Sequence, residues 1–273
     1  MMSIVDQDGW TARKRMLRLA DGRSLAYIDT GGSGPTLLLL HGYSDSSRSF
    51  SLLEPWLCGY RLVIPDLPGH GGSVVGAGMT VADFTDDIVA LMAALSVERF
   101  AVIGHSMGAM IGIDLAARLP DLVAALVTIS GTVRPAFPQR DPVTEGILGL
   151  CDPIDPGDPF FDLWHACPHP VDPCFLAPIS HEAAAMSAAI WHGILVCFST
   201  LDLTKAAAQV RMPVLCIGGS DDVLFDEGHR LALEDALSKA QSVLMEGFGH
   251  NPHWEDPKKV SVVLRDFFHV TFA

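Results

Sequence analysis

The chain has 273 residues, of which 49% are hydrophobic and 18% charged, a composition that excludes a mainly disordered protein. This length allows one large domain or two small ones with a sizeable core. Asp and Glu number 32 against 18 Lys and Arg, and the resulting net charge of −14 argues against nucleic acid or an anionic membrane as a partner. Because neither a membrane-spanning apolar run nor a secretory signal is visible, the sequence predicts a cytoplasmic protein.

Short apolar runs alternate with stretches whose apolar residues recur at helical spacing. This alternation predicts an α/β fold with a mostly parallel central sheet flanked by helices. The predicted strands cover residues 16–19, 25–28, 36–40, 62–64, 100–103, 125–129, 214–217 and 242–245. The predicted helices between and after them cover residues 81–95, 107–119 and 257 to about 268. The four consecutive leucines that end the third strand predict that it is covered on both faces.

One stretch interrupts this alternation, because residues 134–178 contain ten of the 18 prolines. Proline lacks a backbone N–H and disfavours helix interiors, so no regular repeat of strands and helices is expected there. The same stretch is rich in aromatic side chains, which favours a packed insertion over a flexible linker. We therefore divide the chain into a first core part (1–130), an inserted segment (131–209) between two late strands, and a second core part (210–273).

The strongest chemical signal is the sequence Gly104-His105-Ser106-Met107-Gly108, which lies between a predicted strand and a predicted helix. A serine on a sharp strand-to-helix turn needs small neighbours, because the turn brings backbone against backbone. The helix that follows also favours developing negative charge at its amino-terminal end. The pattern predicts that Ser106 is a catalytic nucleophile.

A serine nucleophile needs a base, and the base needs a carboxylate that orients it. His250 follows the last predicted strand between glycines, and we predict that it is the base, with His253 as its main rival. Asp221 and Asp222 follow the preceding predicted strand, and we prefer Asp222 because it lies farther into the loop. Three other histidines, His41, His70 and His105, lie in predicted tight turns and are interpreted as structural.

An oxyanion needs hydrogen-bond donors, and two backbone N–H groups are suitably placed in the sequence. The N–H of Met107 directly follows the nucleophile. The N–H of Tyr43 follows Gly42, which allows the backbone to turn inward after the leucine-rich strand. Aromatic residues of the inserted segment predict a largely apolar substrate pocket. The candidate pocket residues are His105, Phe161, Trp164 and Trp191, although the three aromatic ones are equally compatible with a small core of the segment's own.

Taken together, these motifs resemble an α/β-hydrolase-fold serine hydrolase over nearly the whole chain. The matching sequences are His41-Gly42-Tyr43, Asp66-Leu67-Pro68-Gly69-His70-Gly71, Gly104-His105-Ser106-Met107-Gly108, Gly219-Ser220-Asp221-Asp222 and Gly249-His250-Asn251-Pro252-His253-Trp254-Glu255. The resemblance implies Ser106, Asp222 and His250 as a catalytic triad, with backbone oxyanion donors at Tyr43 and Met107. It also implies that the inserted segment is a cap that covers the site and selects the substrate.

The predicted function is hydrolysis of a carboxylic ester or lactone of a small to medium apolar substrate. Two alternatives remain open: a C–C bond hydrolase acting on a vinylogous diketone acid, and a slow-turnover ligand receptor on the same fold. No cofactor is implied, and Cys167, His169 and Cys174 fit no standard zinc spacing, so no metal is predicted. The predicted partner is a small-molecule substrate, and the sequence gives no oligomeric state.

Overall fold

A single eight-stranded sheet organises the computed structural model, which describes residues 6–135, 137–138 and 140–272. The strands are β1 (Arg15–Arg18), β2 (Ser24–Asp29), β3 (Thr36–Leu40), β4 (Arg61–Pro65), β5 (Phe100–His105), β6 (Val123–Ile129), β7 (Val214–Gly219) and β8 (Gln241–Met245). Their order in the sheet is β1-β2-β4-β3-β5-β6-β7-β8. Strand β2 is antiparallel to both β1 and β4, and the other pairings are parallel. The predicted mostly parallel sheet is confirmed.

Helices cover both faces of this sheet. In chain order they are α1 (Gln7–Trp10), α2 (Val81–Ala94), α3 (Met107–Arg118), α4 (Pro142–Gly149), α5 (Phe160–Trp164), α6 (Pro173–Ala185), α7 (Ala188–Phe198), α8 (Thr204–Ala207), α9 (Glu227–Ala236), α10 (Pro252–Glu255) and α11 (Pro257–Thr271). Helix α2 begins with a capping box in which Thr80 and Asp83 each bond to the other's backbone N–H. The predicted helices 81–95 and 107–119 end within one residue of α2 and α3.

The buried apolar residues form two main layers, one on each face of the sheet. Successive side chains of a strand point to opposite faces, so Leu38 and Leu40 pack with α2 and α3. Leu37 and Leu39 pack on the other face with α11. All four leucines are fully buried, as the unbroken apolar run predicts. The central strands are thus held rigidly, and their carboxyl ends offer a fixed platform for the loops that follow.

The inserted segment lies between β6 and β7 and is mainly helical, from α4 to α8. Two of its ten prolines, Pro142 and Pro173, open α4 and α6, where the missing N–H has no intrahelical partner to lose. Helix α6 begins at Pro173, where the Asp172 carboxylate caps it by accepting the Cys174 N–H at 2.8 Å. Pro178 lies inside α6, contrary to the expectation that proline avoids helix interiors.

Candidate active site

The turn that carries Ser106 joins β5 to α3. Ser106 has φ 52° and ψ −115°, a region that L-residues rarely adopt and that costs of order 1–3 kcal/mol. A Cβ on Gly104 would lie 2.2 Å from the Gly108 carbonyl oxygen, and one on Gly108 would lie 2.0 Å from the Leu40 carbonyl oxygen. Both positions therefore require glycine. The Ser106 N–H donates to the Ile129 carbonyl at 2.9 Å, which fixes the turn against β6.

His250 and Asp222 form a buried hydrogen-bonded pair near the same edge of the sheet. His250 Nδ1 lies 2.8 Å from Asp222 Oδ2, and Asp222 Oδ1 accepts the N–H groups of Leu224 and Phe225, each at 2.9 Å. Burial raises the pKa of the Asp222 carboxyl, but the charge and hydrogen bond of His250 and the two backbone bonds outweigh it. The net pKa lies below its ordinary value, so Asp222 is held ionised against His250.

The two rival residues lie elsewhere. Asp221 is exposed, and its Oδ1 accepts a hydrogen bond from Ser220 Oγ at 2.8 Å. His253 is fully buried, and its Nε2 lies 3.2 Å from Ser49 Oγ rather than against a carboxylate. The geometry that a histidine base requires is therefore found at His250, with Asp222 as its carboxylate.

The loop of residues 42–48, which we call the 42–48 loop, holds the predicted oxyanion donor Tyr43. Within the described residues, the backbone N–H groups of Tyr43 and Met107 have no hydrogen-bond partner. His70 Nε2 lies 2.6 Å from the Tyr43 carbonyl oxygen, and His41 Nδ1 lies 2.8 Å from that of Gly42. These two histidines have the structural role that their positions predict, because they fix the backbone on which Tyr43 lies.

The 42–48 loop is also bonded to the inserted segment. The bonded pairs are the Tyr43 hydroxyl with the Trp191 carbonyl, Trp164 Nε1 with Ser44 Oγ at 2.6 Å, Ser46 Oγ with Glu182 Oε2 at 2.5 Å, and Arg48 Nε with Glu182 Oε1 at 2.9 Å. The Tyr43 ring also packs against Trp164 and Trp191, with centroids 5.5 and 5.2 Å away. The inserted segment thus lies directly over the loop that carries Tyr43.

Behind the nucleophile lies a buried polar cluster that the sequence did not single out. Asp45 accepts hydrogen bonds from Ser49 Oγ at 3.1 Å and the Gly42 N–H at 3.3 Å, and its Oδ2 lies 3.7 Å from His105 Nδ1. His105 Nε2 lies 3.0 Å from the His250 carbonyl oxygen. Although burial raises the pKa of Asp45, its contacts with His105 keep the pKa below its ordinary value. The feature of the sequence that could have identified Asp45 is its position two residues after the predicted oxyanion donor Tyr43.

Ser106 and His250 line one small cavity. The other described lining residues are Gly42, Tyr43, Ser44, Asp45, His105, Phe137, Trp164, His165, Phe198, Leu224, Phe225, Asn251 and Trp254. The space that the centre of a water molecule can occupy there is about 20 Å³, enough for about one water. No Lys or Arg is among these lining residues.

Of the four candidate pocket residues, Trp164 and His105 lie on the cavity wall. Phe161 and Trp191 are not among the lining residues of this cavity, an arrangement that agrees with the alternative of a small core within the inserted segment. Phe161 stacks on His165 with ring centroids 5.8 Å apart, and Trp191 is fully buried with its ring 5.3 Å from that of Trp164. These two rings support the wall from behind.

A larger cavity, of about 230 Å³ by the same measure, lies on the other side of the Asp222 loop. Its described lining includes Ser130, Arg230 and Glu234, but neither Ser106 nor His250. Arg230 is already paired with Glu234 at 2.9 Å. Asp222 also lines the larger cavity, but the candidate nucleophile and the candidate base do not.

In the part of the chain that the structure describes, both a metal-binding cluster and a membrane-spanning helix are absent. No cluster of three or more His, Cys, Asp or Glu side chains able to hold a metal ion occurs there. Every helix in it is too short or too polar to cross a lipid bilayer.

Comparison with known proteins agrees with this architecture. Residues 35–153 match the family model described as the alpha/beta hydrolase fold. The chain is 29% identical over 251 residues to a pimeloyl-[acyl-carrier protein] methyl ester esterase of Aromatoleum aromaticum, covering 85% of this chain and 97% of that protein. It is 25% identical over 266 residues to an uncharacterized protein of Mycobacterium tuberculosis, covering 88% of this chain and 77% of that protein.

Solved structures show the same fold. The enol-lactonase from Burkholderia xenovorans superposes with a TM-score of 0.80 at 20% identity, covering 93% of this chain and all of that one. The chain has the α/β-hydrolase fold, and an esterase is among its relatives and an enol-lactonase among its structural neighbours.

Proposed function

We propose that this protein is a serine hydrolase that cleaves a carboxylic ester or lactone of a small to medium apolar substrate. The observation that carries the proposal is the joint placement of Ser106, on its strained turn, and the hydrogen-bonded pair of His250 and Asp222. A strained serine beside a histidine whose Nδ1 is held by a carboxylate is the arrangement that acyl transfer requires. The esterase and lactonase among the compared proteins add support.

In this mechanism Ser106 Oγ attacks the substrate carbonyl while His250 Nε2 accepts its proton. Asp222 holds the Nδ1–H tautomer and stabilises the imidazolium that forms. His250 then delivers the proton to the leaving alcohol, which departs as the tetrahedral intermediate collapses to an acyl-enzyme. Water, deprotonated by His250, attacks the acyl carbonyl and releases the acid and Ser106.

The developing oxyanion is bound by the backbone N–H groups of Tyr43 and Met107. Both are unpaired within the described residues, and the Met107 N–H is also the first of helix α3, where the helix dipole favours negative charge. The inserted segment acts as a cap, because it supplies Trp164 and His165 to the cavity wall.

The alternative C–C hydrolase activity needs an anionic substrate, for which a cation in the cavity is expected. The basic residues of the inserted segment are not at the wall: Arg134 is exposed and pairs with Asp202 at 3.0 Å, and Arg140 and Lys205 are exposed. The described cavity wall contains the Asp45 carboxylate and no Lys or Arg, and it therefore favours an uncharged ester or lactone over a dienol acid.

The test is hydrolysis of p-nitrophenyl esters from acetate to decanoate by the wild type, Ser106→Ala and the control Ser199→Ala. Ser199 is an exposed serine of the inserted segment whose hydroxyl bonds to the Val196 carbonyl. Because the cavity is small, we expect a rate optimum at short acyl chains. Loss of the nucleophile should lower kcat by about 10³-fold or more, whereas Ser199→Ala should match the wild type.

A folded wild-type protein that hydrolyses no ester or lactone would overturn the proposal. Turnover of a dienol diketone acid by such a protein would then identify a C–C hydrolase. Tight ligand binding with very slow turnover would instead identify a receptor.

A further inference from the structure

His165 occupies an unusual position in the cavity wall. It is the residue that ends helix α5, and only 6% of its surface is exposed. Its ring stacks on Phe161 at a centroid distance of 5.8 Å and an interplanar angle of 12°, and lies 6.0 Å from the Trp254 ring. The imidazole is thus held in one orientation beside the space that contains Ser106.

The two ring nitrogens of His165 differ in their surroundings. Nδ1 lies 3.2 Å from Ser180 Oγ, on helix α6. Nε2 is buried and has no hydrogen-bond partner among the described residues. Buried polar atoms of native proteins are nearly always paired, so an unpaired one in the wall of a ligand cavity indicates a partner that enters with the ligand.

The chemistry of that partner follows from the proton on the ring. Burial lowers the pKa of His165 to about 4, although the charge of Asp45 acts in the opposite direction, so the ring is neutral near pH 7 and carries one N–H. Ser180 Oγ is the hydrogen-bond partner of Nδ1 among the described residues, and its hydroxyl can donate to this nitrogen. In that arrangement the ring proton lies on Nε2, which is then a hydrogen-bond donor.

We infer that His165 Nε2 is a polar specificity subsite that donates a hydrogen bond to an uncharged acceptor oxygen of the substrate. This inference rests on the proposed function, and it narrows the substrate class to esters or lactones with an additional carbonyl, ether or hydroxyl oxygen. A carboxylate at this position is disfavoured, because Asp45 lines the same cavity and no cationic side chain does so within its described wall.

The experiment compares p-nitrophenyl esters in pairs that differ by one oxygen. The pairs are methoxyacetate with butanoate, 3-methoxypropanoate with pentanoate, and 4-oxopentanoate with 4-methylpentanoate. The kcat/KM ratio of each pair is divided by the ratio of its hydroxide-catalysed rates, which removes the difference in intrinsic reactivity. We expect the wild type to prefer the oxygenated member of at least one pair by about tenfold, since a satisfied buried donor replaces an unpaired one.

The variant His165→Phe keeps the aromatic stack and removes Nε2. It should abolish the corrected preference, which is a ratio within each pair of esters and therefore does not depend on the absolute rate of the variant. The matched control is His181→Phe, an exposed histidine of the same inserted segment, which should retain the preference. Ser180→Ala provides a second variant: it frees the ring proton to occupy either nitrogen, so the preference should fall without disappearing.

A wild type without a corrected preference in any pair, or a preference that survives in His165→Phe, would overturn the inference and indicate that Nε2 binds only an ordered water. In either case, Ser106-dependent hydrolysis of the all-carbon esters would leave the proposed function intact. If no ester is hydrolysed by the folded wild type, the proposed function fails and this inference fails with it.

Discussion

Two adjacent aspartates with different surroundings provide a sharp comparison at the scale of single residues. Asp222 is buried against His250, whereas Asp221 is exposed and its carboxylate accepts a hydrogen bond from the neighbouring Ser220. Their side chains are identical, so any difference between their variants reports the environment. One substitution at each position therefore tests which of the two carboxylates orients the base His250.

Asp222→Asn should lower kcat by about 10³-fold or more with little change in KM, because an amide cannot hold the required tautomer or stabilise the imidazolium. Asp221→Asn should stay within about twofold of the wild type. Both are measured as kcat on the best p-nitrophenyl ester, with near-ultraviolet circular dichroism as a check of the fold. Equal losses in the two variants, or a larger loss in Asp221→Asn, would contradict the assignment of Asp222.

The sequence predicted some site residues better than others, for a physical reason. Ser106 lies in a local motif whose glycines are required by the turn itself, so its surroundings are encoded within five residues. Asp45 and His165 acquire their significance only from contacts with residues far away in the chain, such as His105 and Ser180. The position of Phe161 could not be decided, because an aromatic residue has the same sequence pattern on a cavity wall and behind it.

At the scale of elements, the strands and core helices were predictable because their apolar periodicity reflects burial on one or two faces of the sheet. The helices of the inserted segment were predicted less well. Prolines there suggested irregular structure, but Pro142 and Pro173 open helices, and α6 continues through Pro178. Helix propensity describes the isolated chain, whereas the packing of α6 against the 42–48 loop and its neighbours decides whether the helix forms in the folded protein.

The contact between helix α3 and strand β3 gives a prediction at this scale. Gly108→Ala should destabilise the protein by several kcal/mol or prevent folding, because its Cβ would lie 2.0 Å from the Leu40 carbonyl oxygen, which no rotamer change can relieve. The control Gly149→Ala places its Cβ where nothing lies within 4 Å and should leave stability within about 1 kcal/mol. Urea unfolding measures both, and a Gly108→Ala protein of normal stability would contradict the close packing described here.

At the scale of the whole molecule, buried neutral histidines predict sensitivity to mild acid. Burial lowers the pKa of His41 to about 3, of His165 to about 4, and of His253 well below its ordinary value of 6.5. Each takes up a proton near pH 6.5 when unfolded but not when folded. Their contribution to stability is therefore complete above pH 6.5 and is lost as the pH falls toward the folded-state pKa values.

Each such histidine should cost about 2 kcal/mol of unfolding free energy between pH 7 and pH 5. The buried carboxylates with lowered pKa values, such as Asp66, act only below about pH 4 and do not contribute in this window. Urea unfolding at pH 7, 6 and 5 measures the effect. His165→Phe should reduce the loss by about 2 kcal/mol and His181→Phe should not, whereas equal stability at pH 7 and pH 5 would contradict the prediction.

The bonds between the 42–48 loop and the inserted segment have a consequence for how this protein can diverge. The 42–48 loop, which is proposed to bind the oxyanion, is hydrogen-bonded to the inserted segment, which is proposed to select the substrate. The loop residues that make these bonds are Tyr43, Ser44, Ser46 and Arg48. A mutation that reshapes the segment for a new substrate also disturbs the support of the loop. A change in substrate selectivity therefore also changes the turnover rate in this architecture. Proteins with a new substrate preference should carry substitutions in both the inserted segment and the 42–48 loop.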